Sequence, residues 1–399
     1  MATTEKLSSE PTISDLGTLL TVVSAAGQVG VTPLLLGEPG VGKSAVIEDQ
    51  ARAEDLPCEV VYGTRSEATD FGGMPVVPEG AREHLLSPPP WARRLREAGA
   101  GWLFLEELTS VEEPTQKAML GTIFGRRVGE LQLPAGVRVV AAANPPESAV
   151  GGGELAPPVA NRLLHVTYAP TAESWFEGIT SGFSTPPAGR VLPRDKARQA
   201  REAGAVVSFL RHRDGSYLHQ RPKDAALAGG PWPSRRTWDM AISMLSVLPD
   251  EAVTARQAAV AGLVGSGIEG EFSTWRDNAD LPDPAAVVAD PTSVAWRELD
   301  PSRVFAVISA VVSYGAMLGT KDGWRAAWEP LGVAADQGRA DVAGWGAYRL
   351  ADSRPANVVP PKGPAAKFDD VLARINRDRK AEAAAKAAAT ETSNGEEAA

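Results

Sequence analysis

Cysteine is almost absent from this chain: Cys58 is the single one among 399 residues. An intrachain disulfide is therefore excluded, and a reducing compartment is favoured. Because Cys58 opens an apolar run that predicts a strand, we interpret it as a small apolar side chain and not as a reactive thiol.

Targeting signals and long apolar runs are also missing. Residues 1–12 have neither the basic flank nor the apolar region of a signal peptide. The longest apolar stretch, Val304–Leu318, is shorter than the ~20 residues that a bilayer requires, and it contains two serines. We interpret it as a buried helix, and we expect a cytoplasmic protein without a membrane span.

Basic residues are in deficit, since 40 Lys and Arg face 50 Asp and Glu, for a net charge of -10. This balance argues against broad, non-specific binding of nucleic acid. No helix-turn-helix or zinc-finger pattern is present. A hydrophobic share of 43% is enough for real cores, and at roughly 150 residues per domain the length predicts two or three domains.

Residues 37–44 read GEPGVGKS, a complete match to the phosphate-binding loop G-x-x-x-x-G-K-[ST]. The apolar run Pro33–Leu36 before the loop predicts a strand, and Ala45–Ala53 after it predicts a helix, which is the order that this motif requires. Lys43 is predicted to reach the β- and γ-phosphates and Ser44 to ligate Mg²⁺. ATP and Mg²⁺ are thus the expected cofactors. The predicted nucleotide-binding residues are Gly37, Glu38, Pro39, Gly40, Val41, Gly42, Lys43, Ser44 and Ala45.

Four further runs predict strands: Glu59–Tyr62, Gly101–Leu105, Arg138–Ala143 and Leu163–Tyr168. Helical patterns separate most of them, and a helical stripe over Ile13–Gln28, with Thr12 available as its N-cap, precedes the first strand. Strands that alternate with helices predict an α/β fold with a parallel five-stranded sheet covered on both faces.

Two adjacent carboxylates, Glu106 and Glu107, end the third predicted strand, at the sheet edge where open α/β folds place their ligands. We assign Glu106 to the metal and Glu107 to the attacking water. Asn144 ends the fourth strand, where its amide can bond the γ-phosphate and the water; as part of an Asn-Pro pair it is equally well explained as a turn opener. Arg162 directly precedes the fifth strand and by itself indicates little.

Five segments together resemble the AAA+ ATPases and, within them, the MoxR group: GEPGVGKS, LFLEELTS, VVAAANPP, ANRLLHV and PSRRTW. They stand in the family's order over roughly residues 15–245. The resemblance implies that Asn144 is sensor 1 and that Arg162 is an arginine finger for the ATP of the neighbouring subunit. It also implies that Arg236 is sensor 2, reaching from the helical lid to the γ-phosphate, with Arg235 as the close alternative.

Two segments fit insertions of the MoxR group, and one residue departs from the family pattern. Thr69–Gly73 begins a stretch to Leu86 that predicts a hairpin, and Arg127–Pro134 predicts another. By the resemblance, both would face the pore of a ring. The usual Asp-Glu pair is Glu106-Glu107 here, so the carboxylate on the metal side is one methylene longer. The longer side chain can still hold a Mg²⁺-bound water, and the sequence leaves open whether turnover is weaker or slower as a result.

After residue 170 the strand signals stop, and helical patterns follow at Asp195–Arg211, Arg236–Leu248 and Pro301–Leu318. We divide the chain into an N-terminal helix (1–30), an α/β nucleotide-binding domain (31–170), an all-α lid (171–300), a C-terminal helical extension (301–354) and a proline-rich linker with an Ala/Glu/Lys-rich tail (355–399). The tail is either one exposed helix or disordered, and residues 250–352 form either an extended lid or a partner-docking module.

The resemblance implies a hexameric ring that converts ATP hydrolysis into remodelling or maturation of a partner protein. In the MoxR group such a chaperone often works with a von Willebrand A domain protein. Two alternatives stay open: a nucleotide-switched assembly adaptor with little turnover, and a DNA-directed AAA+ motor, against which the net charge counts.

Overall fold

The computed structural model describes residues 12–77, 79, 83–145, 155–183, 188–375 and 377. They fall into two compact units, one within Met1–Arg194 and Gly215–Thr274 and the other within Asp195–Asp214 and Trp275–Ala399. The chain therefore enters the second unit early, for twenty residues, before it returns to complete the first. The sequence expectations for segment 1–11 and for the tail beyond residue 377 lie outside the described residues.

The first unit holds all the described strands. They are β1 (Thr12–Ile13), β2 (Thr32–Leu36), β3 (Cys58–Tyr62), β4 (Met74–Val76), β5 (Leu85–Ser87), β6 (Ala100–Glu106), β7 (Arg127–Val128), β8 (Leu131–Gln132), β9 (Gly136–Ala143) and β10 (Leu163–Tyr168). Six of them form one parallel sheet in the order β1-β10-β2-β9-β6-β3. Central strands such as β6 are buried along almost their whole length, which explains their continuous apolar runs.

The first unit also holds most of the helices that precede residue 265. They are α1 (Leu16–Val29), α2 (Lys43–Ala53), α3 (Thr69–Gly72), α4 (Pro90–Ala98), α5 (Glu113–Ile123), α6 (Pro157–Ala160), α7 (Ala172–Ser181), α9 (Ala225–Ala228), α10 (Arg235–Val247) and α11 (Val253–Val264), and α12 (Ser266–Ala279) contains the division between the units. The second unit holds α8 (Lys196–His212), α13 (Pro284–Ala289), α14 (Pro301–Leu318), α15 (Lys321–Ala326), α16 (Trp328–Ala334), α17 (Ala340–Asp352) and α18 (Lys362–Ala365).

The sheet has six strands and not the predicted five, because residues 12 and 13 are extended. Thr12 and Ile13 pair in parallel with the end of β10, and Ile13 is buried there. The expected helix over Ile13–Gln28 with a Thr12 cap is therefore wrong at its start. The helix begins at Leu16, and the Asp15 carboxylate caps it by accepting from the Thr18 N–H at 2.6 Å. Hydrogen bonding to Thr18 holds the pKa of Asp15 below its usual value.

Both predicted hairpins are present in the first unit. Strands β4 and β5 pair antiparallel, from Met74 opposite Ser87 to Val76 opposite Leu85. Strands β7 and β8 form a shorter antiparallel pair. Residues 78 and 80–82, in the connection of the first hairpin, lie outside the described residues.

The described residues of the second unit form helices and no strand, and α14 contributes a large part of its core. Helices α8 and α14 approach so closely that a Cβ on Gly204 would lie 2.5 Å from the Ala306 carbonyl oxygen. The fully buried rings of Trp324 and Trp328 pack edge-to-face at 5.6 Å. Among the described helices, α14 alone is long and apolar enough to cross a membrane by length and composition. Most of its residues are buried within this unit, which confirms the predicted buried helix.

Candidate nucleotide site

The loop between β2 and α2 makes its sharp turns at glycine residues. Gly40 and Gly42 adopt positive φ angles of 84° and 93°, which side chains with a Cβ rarely tolerate. Gly37 is needed for space, because a Cβ there would lie 2.6 Å from the Tyr168 carbonyl oxygen of β10. The loop leads directly into α2 at Lys43, so the N–H groups at the start of this helix face the cleft described below.

The Lys43 ammonium is held at the mouth of this loop by three oxygens. Its Nζ donates to the carbonyl oxygens of Gly37 and Glu38, the latter at 3.1 Å, and to Asn144 Oδ1 at 2.9 Å. Burial lowers the pKa of Lys43, while Glu106 and Glu38 oppose that shift. A phosphate oxygen arriving at this point would meet a partly desolvated cation, where the electrostatic attraction is stronger than in water.

The two carboxylates that end β6 contact different partners. Glu106 accepts a hydrogen bond from the Ser44 hydroxyl, at the start of α2. Glu107 accepts one from Thr64 Oγ1 at 2.7 Å. Glu107 also has a left-handed backbone, with φ 58° and ψ 40°, a conformation that costs about 1–2 kcal/mol outside glycine.

Gly63 and Thr64, which follow β3, are functional candidates that the sequence motifs did not reveal. A Cβ on Gly63 would lie 2.3 Å from Val111 Cγ2 and 3.0 Å from the carbonyl oxygens of Glu106 and Glu107. The backbone of the carboxylate pair thus passes directly over Gly63. The one signal in the sequence is a glycine directly after an apolar strand, which is too common to identify a site.

The phosphate loop and the ends of β6 and β9 line one cleft of about 320 Å³, at the lower end of the sizes typical of small-molecule sites. Its lining residues are Pro39, Gly40, Gly42, Lys43, Ser44, Ala45, Glu106, Glu107, Ala142, Ala143 and Asn144. The remaining predicted loop residues, Gly37, Glu38 and Val41, do not line the cleft but contact the loop itself. The Val41 N–H donates to the Glu38 carbonyl at 3.4 Å, and the Gly37 and Glu38 carbonyls accept from Lys43.

The cleft offers oxygen ligands for a magnesium ion but not a complete cage. Within the described ranges, no cluster of three or more His, Cys, Asp or Glu side chains is placed to hold a metal. The Ser44 hydroxyl and the Glu106 carboxylate supply two hard oxygens side by side. Mg²⁺ commonly takes one or two protein oxygens and completes its shell with phosphates and water, so this donor set fits Mg²⁺ that enters with a nucleotide.

Arg162 and Arg236 form a separate pair, and no arginine is among the described residues that line the cleft. Both guanidinium groups lie over the ring of Phe124, each at 5.4 Å from its centroid. Arg162 also donates to the Pro158 carbonyl at 2.6 Å. Burial lowers the pKa of Arg162, and the charge of Arg236 lowers it further.

Asn161 contacts one member of this pair, Arg236. It is buried, and its Oδ1 accepts from the Ser234 hydroxyl at 2.8 Å and from Arg236 Nη1 at 3.4 Å. Ser234 is the N-cap of α10, with a complete capping box to Thr237. Arg235, the alternative for sensor 2, is exposed on the same first turn.

No protein-family model and no curated protein matches this chain. Among solved structures, a Cytophaga hutchinsonii protein described as "a putative ATPase" is similar, with 16% sequence identity. The match covers 66% of this chain and 88% of that protein, with a TM-score of 0.40. A likeness at this level transfers no residue role to this chain.

Proposed function

We propose that this chain is a Mg²⁺-dependent ATPase of the AAA+ type. The observation that carries the proposal is the convergence of Lys43, Glu106 and Asn144 on one cleft. They follow or end β2, β6 and β9, which are neighbours in the parallel sheet. Ligands of open α/β sheets bind at this carboxyl edge, and the complete phosphate-loop motif selects a nucleoside triphosphate among them.

Each polar group of the cleft has a definite part in hydrolysis. Lys43 exchanges its carbonyl partners for β- and γ-phosphate oxygens and offsets their charge. Ser44 and Glu106 hold Mg²⁺, which when bound polarises the phosphate oxygens. Glu107 accepts a proton from the attacking water as the water oxygen bonds to the γ-phosphorus and the bond to ADP breaks. Asn144 orients that water and the γ-phosphate.

Thr64 and Asn144 position the groups that act. The Thr64 hydroxyl holds one oxygen of Glu107, so the other carboxylate oxygen is free to accept a proton. The Asn144 amide oxygen accepts from Lys43, and its NH₂ remains a donor toward a phosphate oxygen. A bound nucleotide would thus replace the carbonyl partners of Lys43, whereas the hydrogen bond from Thr64 to Glu107 would remain.

We extend the proposal to a ring in which Arg162, with Arg236 beside it, completes the site of the neighbouring subunit. The supporting observation is that the chain's own cleft has Lys43 and no arginine among its described lining residues, while two arginines share an exposed ring elsewhere in the unit. The finer proposal is a MoxR-like hexamer that remodels a protein client, a von Willebrand A domain protein being the first candidate to test.

The experiment compares the wild type with Lys43→Ala and the isosteric Glu107→Gln. ATP affinity is measured by calorimetry, and turnover by phosphate release with and without single-stranded DNA. We expect Lys43→Ala to lose ATP binding and Glu107→Gln to bind ATP without turnover. Equal ATP affinity of wild type and Lys43→Ala would refute the site. Tight binding without turnover by the wild type would favour the adaptor, and stimulation by DNA would favour the DNA-directed motor.

A further inference from the structure

Arg211, in the last turn of α8, lies over two aromatic rings from neighbouring helices of the second unit. Its guanidinium carbon is 4.3 Å from the centroid of the Phe305 ring on α14 and 5.4 Å from that of the Trp345 ring on α17. The two rings contact each other, with centroids 4.4 Å apart. Helices α8, α14 and α17 therefore meet at one aromatic cluster, and an exposed cation lies over it.

A second exposed arginine, Arg349 of α17, contacts the same cluster. Its guanidinium carbon is 6.0 Å from the ring centroids of Trp345 and Tyr348. Because both arginines lie near Trp345, their guanidinium carbons are at most about 11 Å apart, the sum of their distances from that ring. We call Arg211, Phe305, Trp345, Tyr348 and Arg349 the arginine–aromatic patch.

The two cations of this patch have no oxygen partner. Neither Arg211 nor Arg349 pairs with a carboxylate among the described residues. Elsewhere in the same unit, Arg303 donates to the Ala279 carbonyl oxygen at 2.7 Å, and Arg339 donates to three backbone carbonyl oxygens. A guanidinium group that stacks on a ring keeps its five N–H donors at its edge. The patch therefore presents donors that no group in the described part of the chain accepts.

Exposed apolar surface adjoins these charges. Among the described residues of the second unit, three large apolar side chains are more than a third exposed: Val207, Tyr348 and Val359. Tyr348 belongs to the patch. Val207 precedes Arg211 by four residues on α8, so these two side chains lie on the same face of that helix. Arginine, tyrosine and tryptophan are the residues most enriched among those that dominate binding at protein interfaces, so the composition of the patch favours a binding surface.

We propose that the arginine–aromatic patch binds an acidic peptide segment of a partner protein. In an extended peptide, side chains at positions i, i+2 and i+4 share one face and follow each other at about 7 Å. Carboxylates at i and i+2 can then each accept from one guanidinium group, and an apolar side chain at i+4 can lie against Tyr348 or Val207. The inference goes beyond the proposed function and does not depend on the nucleotide site.

Charge favours such a peptide over nucleic acid as the occupant. Two arginines do not form the broad basic surface that a phosphate backbone requires. The chain as a whole carries a net charge of -10, so long polyanions are repelled at a distance. A short segment with a few carboxylates and an apolar side chain uses both the cations and the exposed rings of the patch.

The test measures binding of labelled peptides to the full-length chain by fluorescence anisotropy, at low and at high salt. The probe consists of two copies of Glu-Ser-Glu-Ser-Leu-Ser, which places carboxylates and leucines on one face. Two matched peptides replace every Glu by Gln or every Leu by Ser. We expect the probe to bind about fivefold or more tightly than either matched peptide, and to bind more weakly at high salt because exposed charges are then screened.

Variants assign this binding to the patch. Arg211→Ala combined with Arg349→Ala should weaken binding of the probe by about tenfold or more, since two charge-assisted contacts are lost. The lysine pair at the same positions keeps both charges without the planar fork, and it should lose less affinity than the alanine pair. The matched control is Arg93→Ala combined with Arg96→Ala, which removes two exposed arginines of α4 in the first unit and should leave binding unchanged. Melting temperatures establish that each variant is folded.

The outcomes decide both the patch and its occupant. Equal affinity of the wild type for the probe and its Gln counterpart, or equal affinity of the wild type and the alanine pair for the probe, would overturn the proposal. Tighter binding of labelled oligodeoxythymidine than of the probe, lost in the alanine pair, would overturn it in favour of nucleic acid. Binding of the probe only after Glu391, Glu396 and Glu397 are changed to glutamine would identify the chain's own tail as the occupant and would also overturn it. A preference for the probe that disappears in the alanine pair and persists in the control pair supports it.

Discussion

Arg162 and Arg236 place their guanidinium groups at the same distance, 5.4 Å, from the ring of Phe124. The ring is 57% exposed, and each cation over an aromatic face gains about 0.5–1 kcal/mol. Two like charges gathered at one exposed ring repel each other, and an anion between them would relieve that repulsion. In the proposed ring, this anion is the γ-phosphate bound by the next subunit.

Replacing Arg162 by alanine tests this role. We expect nearly normal ATP binding and almost no turnover, because arginine fingers contribute up to ~10³–10⁵ in rate. Mixing Arg162→Ala with the equally inactive Glu107→Gln should restore part of the activity, since some interfaces then combine an intact Glu107 with an intact Arg162. Phosphate release at several mixing ratios measures the recovery.

Exposed Arg235 offers the control for that experiment. Arg235→Ala should retain most of the activity, whereas Arg236→Ala should lose it. No recovery at any ratio, under conditions where subunits exchange, would count against an arginine that acts between subunits. Loss of activity in Arg235→Ala alone would move the sensor role to Arg235.

Thr64 is expected to affect turnover and not affinity. Thr64→Val removes the hydroxyl that donates to Glu107 at 2.7 Å while it keeps the shape of the side chain. The carboxylate then loses its fixed orientation, and we expect kcat to fall by about 10-fold or more with ATP affinity unchanged. Thr64→Ser keeps the hydroxyl and should retain most of the rate. Equal loss in both variants would show that the hydrogen bond does not matter.

Gly63 is expected to tolerate no side chain. The added methyl group of Gly63→Ala would lie 2.3 Å from Val111 Cγ2, and we expect the free energy of unfolding to fall by about 1–3 kcal/mol. Turnover should fall as well, because relief of the clash displaces the backbone that carries Glu106 and Glu107. Denaturant unfolding and phosphate release measure the two effects.

A substitution at Val111 tests whether the clash with its Cγ2 atom is what excludes a side chain at position 63. Val111→Ala removes the nearest clashing atom, so Gly63→Ala combined with Val111→Ala should be less destabilised than the sum of the single variants. A purely additive double variant would show that the clash with Val111 is not what excludes a side chain at position 63.

Cys58 is predicted to be unreactive near neutral pH. Burial, with smaller contributions from Glu48 and Glu59, raises the pKa of Cys58 to about 11. Since the thiolate is the reacting form, only about one thiol in a thousand is ionised at pH 8, against roughly a quarter at the ordinary pKa of about 8.5. Alkylation by iodoacetamide should therefore be much slower than that of glutathione at pH 8 and should accelerate up to pH 11. Alkylation as fast as that of glutathione at pH 8 would contradict the raised pKa.

The sequence was sufficient for the central strands and for one side of the site. Each of the five predicted strands is present, because strands buried on both faces read as continuous apolar runs. The structure brings Lys43, Ser44, Glu106, Glu107 and Asn144 to one cleft, as expected when neighbouring parallel strands end at the same edge. The apolar runs and the expected parallel sheet were therefore enough to predict these five side chains in one cleft.

The rest of the site depends on contacts that no local pattern encodes. Thr64 and Gly63 contact the carboxylate pair because β3 lies beside β6 in the sheet, and strand order is not visible in the chain. Phe124 joins Arg162 to Arg236 from the end of α5, far from both in sequence. The sequence predicts a helix start at Thr12 and Ile13, where the structure has an edge strand. The spacing of Ile13 from later apolar residues fits a helical stripe, and two residues are too few to show the alternation of a strand.

The approach of α8 to α14 at Gly204 has a practical consequence for dividing this protein. Because α8 reaches the second unit from residues 195–214, a fragment that begins at residue 275 would retain α14 and lose the helix packed against it. An apolar helix of 18 residues would then present an uncovered face to water, and we expect such a fragment to aggregate or to bind membranes in expression trials. A fragment that joins 195–214 to 275–377 through a short linker keeps this pair of helices together, so it is the version to use in separate studies of the second unit.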